Sequence, residues 1–520
     1  MNRELNISKL DQHNIWDIVV IGGGASGLGT AVEAASRGYK TILVEQHDFA
    51  KATSSRSTKL AHGGVRYLEQ GDVTLVLEAL RERGILLKNA PHLVNKQEFV
   101  IPNYEWWGAP YYTLGLKIYD LMSGKYGFGT SEHINKEIAL DKVPNIMEKE
   151  LNSGVTYYDG QFDDSRLAIT LAQTVDDNGG LVLNYMKVKS LIKNRSGMVK
   201  GVRVLDVESG EEHRIKSRVV INATGVFADS IIEMDDPTSD KTIVASQGVH
   251  LVVDKKFLGS STALMIPKTS DGRVLFAVPW HDKVILGTTD TLVPEIELEP
   301  KALSEEVDFI LNTCAQYLKE TPTKEDVLSV YAGLRPLAAP EKEGKKTKEI
   351  SRGHNINISL AGLVSIIGGK WTTYRKIGED AVNNAALIGD LKEFPSVTES
   401  MSLHGHMRDA DKNNPLRFYG SDAIKIRTIV DKDPKLGEKI IEGYSFIKAE
   451  VVWAVRNEMA RTIEDFLARR IRLLFIDAKA AIEAAPVVAK VMAPEIGQRR
   501  KWQRLQIEEF TKLAQSYLLK

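Results

Sequence analysis

The chain has 520 residues, too many for one simple core, so two or three domains are expected. Hydrophobic residues at 43% and charged residues at 26% suit a folded soluble enzyme, and a net charge of −1 excludes any overall attraction to nucleic acid or anionic lipid. The single cysteine, Cys314, excludes an intrachain disulfide and a thiolate metal site, and reads as a small buried residue.

The opening stretch MNRELNISKLDQHN has no apolar h-region, and no run reaches the roughly 18 apolar residues of a membrane span. The expectation is a cytoplasmic protein, or one held on a membrane face without crossing it. From Ile15 to Glu45 a strand, a glycine turn, a helix and a second strand follow in order. Ile18-Val19-Val20-Ile21 is the apolar run of a strand buried on both faces. Gly22, Gly24 and Gly27 satisfy G-x-G-x-x-G, with Ala25 and Ser26 between them. Leu28, Ala31, Val32 and Ala35 continue at helical spacing, and Gly38 suits a left-handed C-cap. Such a turn brings free N–H groups at a helix N-terminus against a pyrophosphate, while Glu45 can accept from ribose hydroxyls. The stretch predicts a dinucleotide site.

The next segment, from Gln46 to Asp72, is dense in Ser, Thr, Gly and basic residues. Thr53, Ser54, Ser55, Ser57 and Thr58 offer hydroxyls, and Lys59, His62 and Arg66 offer cationic or switchable groups. Gly63-Gly64 lets backbone lie against a flat ligand. A solvated loop leading into the helix VTLVLEALRERGILLKNAPHL is the plainer alternative. Residues 100–130 interleave Tyr104, Trp106, Trp107, Tyr111, Tyr112, Tyr119, Tyr126 and Phe128 with aliphatic residues. They read either as core and domain contact or as a surface meeting lipid or a lipophilic quinone.

YYDGQFDDSRLAITLA reads as loop then helix, followed by strands at Leu181–Tyr185, Gly201–Val204 and Val219–Asn222. The last runs into Ala223-Thr224-Gly225, where backbone can again approach a cofactor. From Ile243 alternation predicts an antiparallel sheet through Gln247–Val253, Arg273–Pro279 and Val284–Thr289, with Trp280 to Lys283 as a turn. It carries His250, Thr288 and, further on, Arg335 at strand ends. Two apolar runs then lead to Gly368-Gly369-Lys370 and a helix, a second backbone-donor site suited to a carbonyl oxygen gaining charge. Beyond 396, helical periodicity dominates in Lys448–Ile476 and Arg499–Leu519. The basic strips Arg469, Arg470, Arg472 and Arg499, Arg500, Lys501, Arg504 read as solvated helix faces or as contacts for anionic lipid.

Taken together, Gly22–Gly27 with Glu45, SSRSTKLAHGGVRYLE (Ser54–Glu69), Gln247–His250, Gly287–Asp290, Gly333–Leu337 and GGKWTTYR (Gly368–Arg375) make the chain resemble the respiratory, quinone-linked, FAD-dependent glycerol-3-phosphate dehydrogenases. The resemblance implies an α/β fold: a glutathione-reductase-type, Rossmann-like FAD-binding domain from residues 15–90, 151–240 and 355–395. An antiparallel-sheet substrate-binding domain would comprise 91–150 and 241–354, and a helical C-terminal domain 396–520.

Noncovalent FAD would be held by Gly22, Gly24, Ala25, Ser26, Gly27, Glu45, Gln46, Thr53, Ser54, Ser55, Lys59, His62, Gly63, Gly64, Val188, Ala223, Thr224, Gly225, Gly368, Gly369, Lys370 and Thr372. The resemblance assigns Arg66, Tyr67, His250, Thr288, Arg335 and Lys370 to sn-glycerol 3-phosphate, whose phosphate needs bidentate cationic donors. His250 is the candidate base, with Arg335 and Lys370 stabilising an alkoxide or holding the phosphate. Arg56 and Val226-Phe227 depart modestly from the family pattern. The resemblance further implies electron transfer to a quinone, peripheral contact with the inner face of the cell membrane and a homodimer. The alternatives are a glycerol-3-phosphate oxidase using oxygen, another amine or amino-acid oxidase of this fold, and a flavin-binding module without a metabolite substrate; near-neutral charge argues against nucleic acid for the last.

Overall fold

The computed structural model describes residues 1–64, 72–105, 108–339, 353–411 and 413–519. Arg66, Tyr67, Trp106 and Trp107 lie outside the described residues.

The apolar run near the start becomes the strand Trp16–Ile21, with parallel partners on both sides. Its alternation divides it between two cores. Ile18 and Val20 join Leu28, Ala31, Val32 and Ala35 of the helix Ala25–Ser36, while Val19 and Ile21 join Val202, Val204 and Ile215 of a strand meander. Each fully buried Val or Ile contributes about 1.5–3 kcal/mol, which is why the run tolerates no polar residue. The sheet runs His354–Ile358, Leu363–Gly368, Glu212–Asn222, Trp16–Ile21, Thr41–Val44, Leu181–Leu183. It is parallel except at its His354–Ile358 edge. The long strand Glu212–Asn222 pairs antiparallel with Val199–Asp206 in its first half and enters the parallel sheet in its second.

Among the described residues the second sheet has ten strands, including Ile243–Asp254, Lys283–Gly287, Leu275–Trp280, Ala263–Ile266, Val94–Asn103, Ser153–Phe162 and Leu60–Ala61 in spatial order. Ala263–Ile266 pairs parallel with Val94–Asn103, so the sheet is mixed where a purely antiparallel one was expected. His281 and Asp282, both left-handed (φ 47° and 58°), make the expected hairpin turn. The loop reading of YYDGQF is corrected: Ser153–Phe162 is a strand paired with Val94–Asn103 along its full ten residues. Residues 153–162 therefore go with the second sheet. Its polar Asp159 is buried, held by Arg83 and Tyr119, which is how a strand tolerates that composition.

The C-terminal region is helical as expected, with Ala423–Lys432, Lys448–Glu458, Ala478–Glu495 and Arg500–Ala514 its longest helices. Its core packs against Trp280, Ile285 and Tyr331 of the second sheet. The helical run read from Lys448 to Ile476 is broken at Met459 and Arg472, both left-handed, and wound into a π-turn over Asp465–Arg470. Cys314 is buried, as expected.

Candidate active site

A cavity of about 1230 Å³ opens between the two sheets. One end is built by the first glycine turn. A Cβ on Gly22 would stand 2.6 Å from the Ala223 carbonyl oxygen, and one on Gly27 would stand 1.9 Å from that of Gly22, so only glycine permits this closeness of turn, helix and neighbouring strand. Gly22, Gly24, Ala25 and Ser26 line the cavity at the N-terminus of the helix Ala25–Ser36. The Ser54 hydroxyl accepts from the Ala25 amide at 2.9 Å. Glu45 accepts from the amides of Gly23 (2.6 Å) and His47 (2.8 Å); burial pushes its carboxyl up while those amides pull it down. Gln46, Val188 and Ala223-Thr224-Gly225 complete this end.

At the other end, His250 comes from the strand Ile243–Asp254, opposite Gly287 on one side and Tyr331 on the other. Its ring stacks on Tyr331 (centroids 4.9 Å apart, 16° between planes), and its Nε2 lies 2.8 Å from Thr58 Oγ1. Burial, then the nearby cations Lys59 and Arg335, hold the imidazole well below its ordinary pKa, so it is neutral. Arg335 Nη2 donates to the Thr289 carbonyl (3.0 Å) and Thr288 Oγ1 (3.3 Å), and Nη1 to Asp290 (3.3 Å). Thr53 Oγ1 donates to the Leu334 carbonyl, and Trp371 Nε1 to that of Ser54, so the loop after Glu45 is fastened to the second sheet and to the turn that follows Leu363–Gly368. Gly368 and Gly369, both left-handed, end the strand Leu363–Gly368 and line the cavity with Lys370 and Thr372.

The FAD dependent oxidoreductase family matches residues 17–375, and the C-terminal domain of alpha-glycerophosphate oxidase matches residues 364–503. A mitochondrial glycerol-3-phosphate dehydrogenase of Bos taurus is 38% identical over 552 residues, covering 99% of this chain and 75% of the relative. The chain belongs to the FAD-dependent glycerol-3-phosphate dehydrogenase family. A probable mitochondrial member from Caenorhabditis elegans is 39% identical over 539 residues (97% of this chain, 73% of the relative). The crystal structure of the Bacillus halodurans glycerol-3-phosphate dehydrogenase complexed with FAD superposes with a TM-score of 0.81 at 28% identity, covering 99% of this chain and 97% of that one.

The residues present fit the family's FAD. Gly24, Ala25 and Ser26 at the helix N-terminus line the cavity where a pyrophosphate is wanted, Glu45 stands at the end of the second strand, and the volume exceeds the roughly 300–1,000 Å³ of ordinary ligand pockets. Of the residues expected to line the site, Gly22, Gly24, Ala25, Ser26, Glu45, Gln46, Thr53, Ser54, His62, Gly64, Val188, Ala223, Thr224, Gly225, His250, Thr288, Arg335, Gly368, Gly369, Lys370 and Thr372 do so. Gly27, Ser55, Lys59 and Gly63 do not. Lys59 is turned into the interior, where Nζ meets Asp164 at 2.7 Å and the Ser55 carbonyl at 2.8 Å. Gly63 donates its amide to the Tyr119 hydroxyl. Thr58 as the partner of His250 was missed, as was an apolar lobe of Leu75, Phe99, Tyr157, Met265, Val274 and Phe276. The contiguous apolar run Phe99-Val100-Ile101 in one strand and the apolar strand Leu275–Trp280 were the available signals for that lobe.

Both readings of Arg469, Arg470 and Arg472 in this family member are corrected: the three are buried, neither solvated nor free for lipid. Arg470 pairs with Asp48 (2.8 and 2.9 Å), Arg469 with Asp48 (2.6 Å) and Asp465 (2.7 Å), and Arg472 with Asp164 (3.0 Å). They clamp the C-terminal domain onto the cofactor-side loop. Arg56 serves the same junction, meeting the Ala332 carbonyl, Glu299 and Tyr517. Arg499, Arg500, Lys501 and Arg504 are exposed.

Proposed function

We propose that the protein oxidises sn-glycerol 3-phosphate to dihydroxyacetone phosphate with FAD and passes the electrons to a quinone. The observation that carries this reading is a neutral, buried His250 beside the Arg335 guanidinium, in one cavity with a dinucleotide cradle. Bound FAD supplies the acceptor for the hydride leaving C2. Arg335 and Lys370 bind the phosphate and the oxygen that gains charge, each charged hydrogen bond contributing about 1.5–3 kcal/mol. His250 takes the C2 hydroxyl proton on its imidazole, which Thr58 orients through Nε2. A phosphate dianion against Arg335 cancels one of the two cations that depress His250, so binding the anion raises the proton affinity of the base.

The quinone reading draws on the apolar lobe. Phe99, Tyr157 and Met265 share a cluster with Leu116, on the buried side of the helix Gly108–Ser123. That helix exposes Tyr111, Leu114, Ile118 and Leu121, spaced along one face. An apolar face beside an apolar lobe suits a lipophilic acceptor and peripheral contact with a membrane; no helix among the described residues is long and apolar enough to cross one. The oxidase reading is favoured by the match of residues 364–503 to a domain of alpha-glycerophosphate oxidase.

Anaerobic titration with sn-glycerol 3-phosphate should bleach the flavin absorbance, and Arg335→Ala should lose the response. A normal titration in that variant would remove Arg335 from phosphate binding. Peroxide yield in air against quinone reduction separates the two acceptors.

A further inference from the structure

The turn Ser55–Lys59 presents one side chain to the cavity and the next to the C-terminal domain. Thr58 lines the cavity and touches His250; Lys59, its neighbour, is fully buried and has no surface there. Lys59 is left-handed (φ 64°), a conformation costing a non-glycine residue of the order of 1 kcal/mol or more, so its surroundings must impose it. Asp164 gathers the turn. Its Oδ2 accepts from Ser57 N (3.1 Å), Ser57 Oγ (2.7 Å) and Lys59 Nζ (2.7 Å), and its Oδ1 from Arg472 Nη2 (3.0 Å). Arg472 Nη2 and Lys59 Nζ both donate to the Ser55 carbonyl at 2.8 Å. The Tyr331 hydroxyl donates to the Ser57 carbonyl (3.2 Å) while its ring supports His250.

We propose that Lys59 is a positioning residue for the reaction: with Asp164 and, from the C-terminal domain, Arg472, it locks the Ser55–Lys59 turn so that Thr58 holds the His250 ring by Nε2 in the orientation that meets the substrate. This rests on the reading of His250 as proton acceptor.

A merely structural lysine would leave the chemistry of the ring alone, and Lys59 does not. The charged and titratable groups facing His250 are Lys59 on the turn and, on the strand Ser329–Ala338, Arg335 and Tyr331; the strand Lys283–Gly287 brings only Gly287 opposite it. Behind Lys59 stand Asp163, Asp164 and Arg472, and behind Arg335 stands Asp290. Lys59 Nζ lies 5.1 Å from the Tyr331 ring centroid, 5.4 Å from that of Trp280 and 5.5 Å from that of Phe475. Sealed from water in this way, its charge acts on the imidazole with little screening. Removing the ammonium makes His250 easier to protonate.

The test compares flavin-loaded Lys59→Met, Thr58→Val and the double variant with the unaltered enzyme, measuring kcat and KM for sn-glycerol 3-phosphate against pH. Flavin absorbance reports loading, and NMR of nitrogen-labelled histidine reports the His250 tautomer and titration. Each single variant should lower kcat at least about tenfold with KM changed less than about threefold, the pattern of a lost transition-state interaction. Lys59→Met should also move the acid limb of kcat/KM to higher pH, and the double variant should be no worse than the poorer single one. An unmoved acid limb, losses that add in the double variant, or activity lost only in proportion to flavin would each overturn the positioning role. Should Lys59→Met fail to fold, Thr58→Val decides alone, an unchanged kcat overturning the proposal and a lowered one supporting it. Failure of the unaltered enzyme to bleach with substrate would strike the proposed function instead.

Discussion

Gly248 lies beneath Arg335: a Cβ there would stand 2.5 Å from Nη2 and 2.7 Å from Thr288 Oγ1. Since the crowded atoms are the ends of side chains, Gly248→Ala displaces the guanidinium without breaking the strand. The expected outcome is a KM for sn-glycerol 3-phosphate raised about tenfold or more, one charged hydrogen bond contributing about 1.5–3 kcal/mol, with flavin content unchanged; steady-state kinetics beside flavin absorbance check it. At this scale Glu45 was legible in the sequence, because a strand that ends at a cavity delivers its last side chain there; His250 and Arg335 also line the cavity, but from within the strands Ile243–Asp254 and Ser329–Ala338 and not from the strand ends expected of them. Lys59 was not legible. Its direction depends on a left-handed backbone and on a carboxylate 105 residues away, and neither leaves a local trace.

Among the elements, the first strand, turn and helix were legible because the apolar run, the glycine spacing and the helical period that mark them are local in sequence, although the strand itself pairs with the distant Glu212–Asn222. Ser153–Phe162 read as a loop because Asp, Gly and Gln are poor strand residues alone; its pairing with Val94–Asn103 and the buried Arg83–Asp159 pair override that preference. In the aromatic-rich segment the helix Gly108–Ser123 has a buried side and an exposed apolar one: Leu116 and Tyr119 are buried, while Leu114 is 66% and Leu121 82% exposed. Under the proposed membrane contact, Leu114→Lys with Leu121→Lys should weaken binding to phospholipid vesicles at least about tenfold, since each leucine buried in lipid contributes about 1.5–3 kcal/mol. Reduction of a vesicle-borne quinone should fall with it while reduction of a soluble dye does not. Vesicle sedimentation unaltered by the two lysines would assign the face another role.

On the scale of the whole molecule, the C-terminal domain is bound to the cofactor side by charges that the sequence displayed as a surface strip. A basic run reads as solvated because exposed runs are common; burial became possible because Asp48 and Asp164 are brought opposite by the tertiary fold, with Glu458 and Asp465 of the same domain completing the pairs. A second junction, nearer the surface, is sensitive to pH. His404 Nδ1 meets Asp177 of the helix Asp164–Asp177 at 2.6 Å, and Nε2 meets Asp422 at 2.7 Å. Burial opposes the charge, but the two carboxylates prevail and raise His404 to about 9 from its ordinary 6.5. A raised pKa means the folded state holds the proton more tightly than the unfolded chain. The bridge therefore contributes in full below pH 6.5, weakens from there, and is lost as pH passes about 9. His404→Gln should lower the thermal midpoint at pH 6, and the gap to the unaltered protein should close steadily between pH 6.5 and 9. A gap that stayed constant across that range would show that His404 acts there by shape and not by charge.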